Sequence, residues 1–272
     1  MSDLKTSPKA TKGLAERLRG DAMLACTLPL FAFVVVGFAA ATLTDMLPFF
    51  VNHPDSPWYL QDPDQWIKPL QILVGGGALW FFRSQYTKAD WNFSWSTTAW
   101  AVLAGAVGIG FWLLPTTLYD HLHLADAYEE APKWFEWLGL EERRDGYNVD
   151  VFEGNIFAQA VAITLRFVYA CVIVALVEEI CWRVFVMRAA LNWDHWQTIN
   201  FGEIHWKTWL VPTVLFISVH QPVDYLGALI YGSLTWLLTV RTKSLSAAVI
   251  MHGVANLLMG IYALSFEKYG LW

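Results

Sequence analysis

Along this 272-residue chain, apolar residues fall in seven long blocks separated by shorter polar stretches, near residues 23–43, 67–82, 96–114, 160–190, 208–222, 224–240 and 245–264. An α-helix advances 1.5 Å per residue, so about 20 mostly apolar residues cross about 30 Å of hydrocarbon. The pattern predicts an all-α fold, a polytopic transmembrane helical bundle of about 7 to 8 spans. The second and fifth blocks are short for complete spans. The fourth is long enough for a tilted helix or for an eighth span.

Lys and Arg set the orientation, because cytoplasmic loops collect them. Lys5, Lys9, Lys12, Arg17 and Arg19 precede the first block, none falls in 44–66, and Arg83 and Lys88 follow the second block. Arg188, Lys207, Arg241 and Lys243 flank the later ones. Seven spans alternate with this pattern to give a cytoplasmic N-terminus and an outward C-terminus, as expected of a protein of the bacterial inner (plasma) membrane. The chain then divides into a basic cytoplasmic tail (1–22), three N-terminal transmembrane helices (23–114), an external loop (115–157), a core carrying the candidate chemistry (158–264) and a C-terminal tail (265–272). The basic start, the first block and Ala39, Ala40 and Ala41 resemble a signal peptide. The block is longer than a usual signal core and is followed by more spans, so it is expected to remain as an uncleaved helix.

Composition supports the membrane class. Hydrophobic residues make up 56% and charged residues 15%, against about 25% charged in soluble domains. The 16 Trp suit the two membrane interfaces. Residues 115–157 hold ten Asp/Glu against Lys133, Arg143 and Arg144, so this loop outweighs the whole-chain charge of −6 and leaves the rest nearly neutral. Within it, Trp134, Phe135, Trp137 and Leu138 suit a helix lying in the interface. Nothing here calls for a nucleic-acid partner. The expected partners are the bilayer and a membrane-associated protein or peptide. Cys26, Cys171 and Cys181 follow neither a disulfide nor a zinc spacing and are expected to be packing residues. His121 and His123 lie two apart, on opposite sides of a helix, which makes a poor metal site. Gly75, Gly76 and Gly77, and the pairs Ala104/Gly108 and Ala228/Gly232, are expected to let helices approach closely.

One segment of the fourth block breaks its apolar character: A-L-V-E-E-I-C-W-R, with Glu178, Glu179 and Arg183 near the middle of the predicted span. A charge at that depth costs about 2.5 to 3.5 kcal/mol on insertion scales. Glu179 and Arg183 are four apart and share a helix face, so they form a structural ion pair. Glu178 is rotated by about 100° and lacks that partner. A carboxylate without a partner in apolar surroundings can exchange protons near neutral pH, as an acid–base catalyst must. Polar candidates for its company recur in later blocks: F-I-S-V-H ends at His220, and H-G-V-A-N places His252 and Asn256 on one face.

These three motifs, E-E-x-x-x-R, F-x-x-x-H and H-x-x-x-N, on successive hydrophobic segments, resemble the CPBP family of CAAX prenyl proteases, bacteriocin-processing enzymes and bacterial Abi proteins. The similarity covers roughly 160–264, and N-L-L-M-G-I-Y further resembles an exosortase-associated CAAX-protease-related branch. The resemblance implies a glutamate-dependent intramembrane endopeptidase, with no cofactor and with a helical bundle around a polar intramembrane cavity. In it, Glu178 is the base that activates water and His220 helps hold that water. His252 and Asn256 donate to the oxyanion, and Glu179 with Arg183 is the structural pair near the site. One geometric difficulty follows from span counting: His220 lies at the outer end of a short fifth helix. It reaches Glu178 only if that helix starts late, tilts, or turns at Pro222 inside the membrane.

Two other readings use the same residues. Glu178, His220 and His252 are also ligand types for a zinc-dependent membrane protease, although no H-E-x-x-H is present. A non-catalytic proton-coupled transporter or immunity protein would use intramembrane Glu and His as a relay or a peptide site. Asn256 favours the protease, since an amide carries no proton charge but makes a fixed donor.

Overall fold

The computed structural model describes residues 13–46, 57–61, 63–87, 89–124, 132–141, 143, 146–152 and 154–272. Lys5, Lys9, Lys12, Lys88, Arg144 and much of the acidic loop lie outside them. Seven main helices carry the fold: α1 (Ala22–Met46), α2 (Asp64–Tyr86), α3 (Trp95–His121), α4 (Ile156–Ala189), α5 (Trp206–Ser218), α6 (Tyr225–Thr242) and α7 (Leu245–Ser265). Each coincides with one apolar block, and no strand occurs among the described residues. Among the described residues, five stretches are long and apolar enough to cross a membrane, namely those of α1, α3, α4, α6 and α7. The other two helices, α2 and α5, are the blocks expected to be short: α5 is, at 13 residues, whereas α2 is not, running 23 residues and past both ends of its apolar block.

Local chemistry starts several of these helices. Ser94 caps α3 in a reciprocal pair with Thr97, Asn155 accepts from Ala158 N at the start of α4, and Ser244 accepts from Ala247 N at the start of α7. Each satisfies a backbone N–H that a first helical turn leaves free. The third helix does not stop at residue 114 as its apolar pattern suggests. It continues through Pro115 to His121, because its other backbone bonds hold it and bundle neighbours tolerate the missing one. His121 ends that helix, and His123 follows in a left-handed conformation (φ 49°).

α4 threads the middle of the bundle, touching α1, α2 and α7. α3 lies along α7 and α6, and its glycines explain how closely. A Cβ on Gly105 would come within 2.7 Å of the Met251 carbonyl oxygen, and one on Gly108 within 2.9 Å of the Tyr231 ring. Of the three consecutive glycines in α2, Gly75 is the one packing demands, facing Ile173 of α4 at 2.8 Å. The outer surface is apolar, with Phe31, Phe38, Leu73, Trp80 and Trp100 each more than half exposed. Such a surface is a liability in water and is solvated in a bilayer. Cys26 and Cys181 are buried, Cys171 is half-buried, and all three are free thiols.

Part of the external-loop expectation falls on described residues. Trp134–Trp137 form one short helical turn, with both tryptophans more than half exposed. This turn packs against the 3-10 turn Pro222–Asp224 that joins α5 to α6. The described Trp134–Trp137 turn, the Pro222–Asp224 turn and the segment after α7 therefore gather at one end of the bundle.

Candidate active site

The helix carrying the two glutamates is not uniform. α4 is α-helical over Ala175–Glu179, between π-helical stretches at Tyr169–Val174 and Ile180–Val186. π-helical turns are rare and concentrate at functional sites. Here they change the angular relation between residues on either side of the glutamates, so an ideal helical wheel places only the nearest neighbours correctly.

Glu179 is fully buried and saturated. Its Oε2 accepts from Arg183 Nε at 2.8 Å, and its Oε1 meets His252 Nδ1 at 2.7 Å. The expected ion pair is present, but Glu179 also holds His252, which the sequence reading assigned to the catalytic group alone. With Nδ1 directed to a carboxylate, the ring orientation of His252 is fixed and Nε2 is its remaining polar atom.

Glu178 differs. It is half-buried, and one long bond reaches it, from Trp182 Nε1 to Oε2 at 3.3 Å. It lines a cavity of about 430 Å³ together with His220, His252 and Asn256. The four side chains named from the sequence therefore meet at one cavity, although they come from α4, from the turn after α5 and from α7. α5 has 13 residues, and past its C-terminal end His220 lines the same cavity as Glu178, so the difficulty over its reach does not arise. His220 follows that end, with Nδ1 2.7 Å from the Phe216 carbonyl and its ring tilted against Phe216 at 4.4 Å.

Asn256 is partly engaged already. Its Nδ2 donates to the Ala170 carbonyl at 2.7 Å, inside the first π-helical stretch, where α7 comes so near that a Cβ on Gly253 would sit 2.8 Å from the Cys171 oxygen. The amide has two N–H donors, so one remains for the cavity while the other fixes the side chain.

Several lining residues escaped the sequence reading: Trp112, Arg143, Tyr169, Asp224 and Tyr231. Arg143 Nη2 meets Asp224 Oδ1 at 2.6 Å, its Nε donates to Thr116 Oγ1 at 3.1 Å, and Trp112 Nε1 donates to the same Asp224 oxygen at 2.9 Å. Two signals pointed to them. Arg143 is a cation in a strongly acidic loop, and Asp224 is a lone acid between two apolar blocks. Neither signal names its partner. As for the zinc alternative, no three His, Cys, Asp or Glu side chains among the described residues are arranged as metal ligands.

The cavity of this all-helical bundle gathers a carboxylate, two imidazoles and an amide. Residues 160–258 match the family described as type II CAAX prenyl endopeptidase, Rce1-like. The resemblance read from the three motifs is thereby shown for this segment, which contains all four cavity residues. The match does not reach the exosortase-associated branch, and α1 to α3 lie outside it. No curated protein and no solved structure matches the chain. The family match supports a CAAX-type endopeptidase, and with the five apolar helices it indicates an integral membrane protein.

Proposed function

We propose that the protein is a glutamate-dependent intramembrane endopeptidase acting on a membrane-associated protein or peptide. The observation that carries this reading is the meeting of Glu178, His220, His252 and Asn256 at one cavity, with Glu178 the carboxylate that lacks a charged partner. Glu178, ionised, takes a proton from a water held between it and His220 as that water attacks the scissile carbonyl carbon. The carbonyl π pair moves to oxygen. The resulting oxyanion accepts from His252 Nε2–H of an imidazolium and from the free N–H of Asn256, which are pre-positioned by Glu179 and by Ala170. Collapse of the tetrahedral intermediate re-forms the carbonyl and breaks the C–N bond. The leaving nitrogen takes the proton from Glu178, which returns to its starting state. The residues of this chain carry the whole cycle and no metal is invoked.

The test compares membrane proteomes of cells carrying the wild-type protein with those carrying Glu178→Gln at equal abundance. The expected result is a small set of membrane-associated proteins or peptides that are shortened only with the wild type. Identical termini throughout would favour the relay or immunity reading of the same carboxylate.

A further inference from the structure

Part of the cavity wall is held by a chain of contacts that ends on His220. Asp224 Oδ1 receives two donors, Arg143 Nη2 at 2.6 Å and Trp112 Nε1 at 2.9 Å. The Trp112 indole, 8% exposed, lies edge-on to His220 with centroids 5.3 Å apart and edge-on to Tyr231 at 6.0 Å. The first turn of α6 forms its floor, where a Cβ on Gly227 would come within 2.7 Å of the indole. Three residues after Asp224, glycine is what leaves room for the ring. Arg143 is fastened in turn to α3 through Thr116. Among the described residues, the His220 side chain has one hydrogen bond, to the Phe216 carbonyl. That bond fixes one ring nitrogen but not the ring plane, which the aromatic neighbours must set.

We propose that Arg143 and Asp224 are positioning residues for His220, acting through Trp112. A carboxylate shared by a cation and an indole N–H is a strong anchor, because charge-assisted hydrogen bonds are roughly twice as strong as neutral ones. It gives one buried cation of the acidic loop a task at the reaction centre: the loop reaches in and locks the indole against which His220 rests. This rests on the endopeptidase reading for its kinetic consequence, but the geometry is tested without any substrate.

The experiment follows carbethoxylation of each histidine by diethyl pyrocarbonate in the purified full chain, resolved by peptide mass spectrometry. Asp224→Ala and Gly227→Ala are expected to change the rate at His220 several-fold, while His252, clamped by Glu179, keeps its wild-type rate. Asp224→Asn retains an acceptor for Trp112 and is expected to recover most of the wild-type behaviour. The charge swap Arg143→Asp with Asp224→Arg restores a loop-to-turn ion pair but offers the indole no acceptor at position 224, so His220 is expected to stay perturbed. With a substrate in hand, the perturbed variants are expected to lose about 10-fold to 100-fold in kcat with little change in KM. A charge swap that restores His220 to its wild-type rate would reduce the pair to a loop tether and overturn the proposal. So would folded Gly227→Ala protein with unchanged His220. Failure of the endopeptidase reading would look different: the His220 signature would persist while Glu178→Gln altered no cleavage.

Discussion

Glu178 and Glu179 are adjacent in sequence, yet the two sides of α4 they occupy differ in how fully their polar groups are satisfied. On the Glu179 side, Arg183 and His252 take both carboxylate oxygens in a sealed core. On the Glu178 side, the carboxylate borders a cavity with a single long bond from Trp182. The first arrangement holds a geometry, and the second leaves a carboxylate facing the cavity. The comparison also shows that the sealed side serves the open one, because His252 belongs to both.

Breaking the sealed side is expected to have the largest effect. Arg183→Ala breaks a buried ion pair and leaves His252 as the one remaining partner of Glu179 among the described residues, at a cost of about 3 to 5 kcal/mol. The expected outcome is loss of folded protein in detergent, measured by monodisperse yield and thermal unfolding. A fully folded but inactive variant would move Arg183 into the reacting group. On the open side, Asn256→Ala removes an oxyanion donor and is expected to slow cleavage by about 100-fold to 1000-fold. A thermal unfolding curve recorded alongside measures the separate loss of its tether to Ala170. Glu179→Gln keeps one acceptor oxygen where the carboxylate has two and removes the charge, so either Arg183 or His252 loses its acceptor; the rate is expected to fall less than for Asn256→Ala, with activity still measurable. The smallest effect is expected from strong chelators, which should leave the rate unchanged, with no stoichiometric zinc by elemental analysis. One zinc per chain, lost with activity and restored on re-addition, would transfer the site to the metalloprotease reading.

The contrast between the two glutamates was partly legible in the sequence, and the reason is distance along the chain. Relations within a helical turn could be read directly: Glu179 with Arg183, and His252 with Asn256, four residues apart on shared faces. The helices themselves were legible because membrane burial writes them as long apolar blocks. Contacts between blocks were not legible. Nothing in H-G-V-A-N says that His252 turns one nitrogen to Glu179, 73 residues earlier. The Arg143–Asp224–Trp112 cluster joins three segments whose sequence spacing carries no period. The π-helical stretches around the glutamates also left no mark in the apolar pattern, because apart from Arg183 they are built of apolar and aromatic residues.

The central claim is that Glu178 is the base while its neighbour is structural. The most direct measurement uses purified Glu178→Gln protein with the substrate identified from the membrane proteome, following binding and cleavage in the same sample. Glutamine keeps the shape of the side chain and cannot take the proton, so substrate is expected to bind with near wild-type affinity and to remain uncut, a loss of about 100-fold to 10,000-fold in rate. Processing by Glu178→Gln at the wild-type rate would contradict the account.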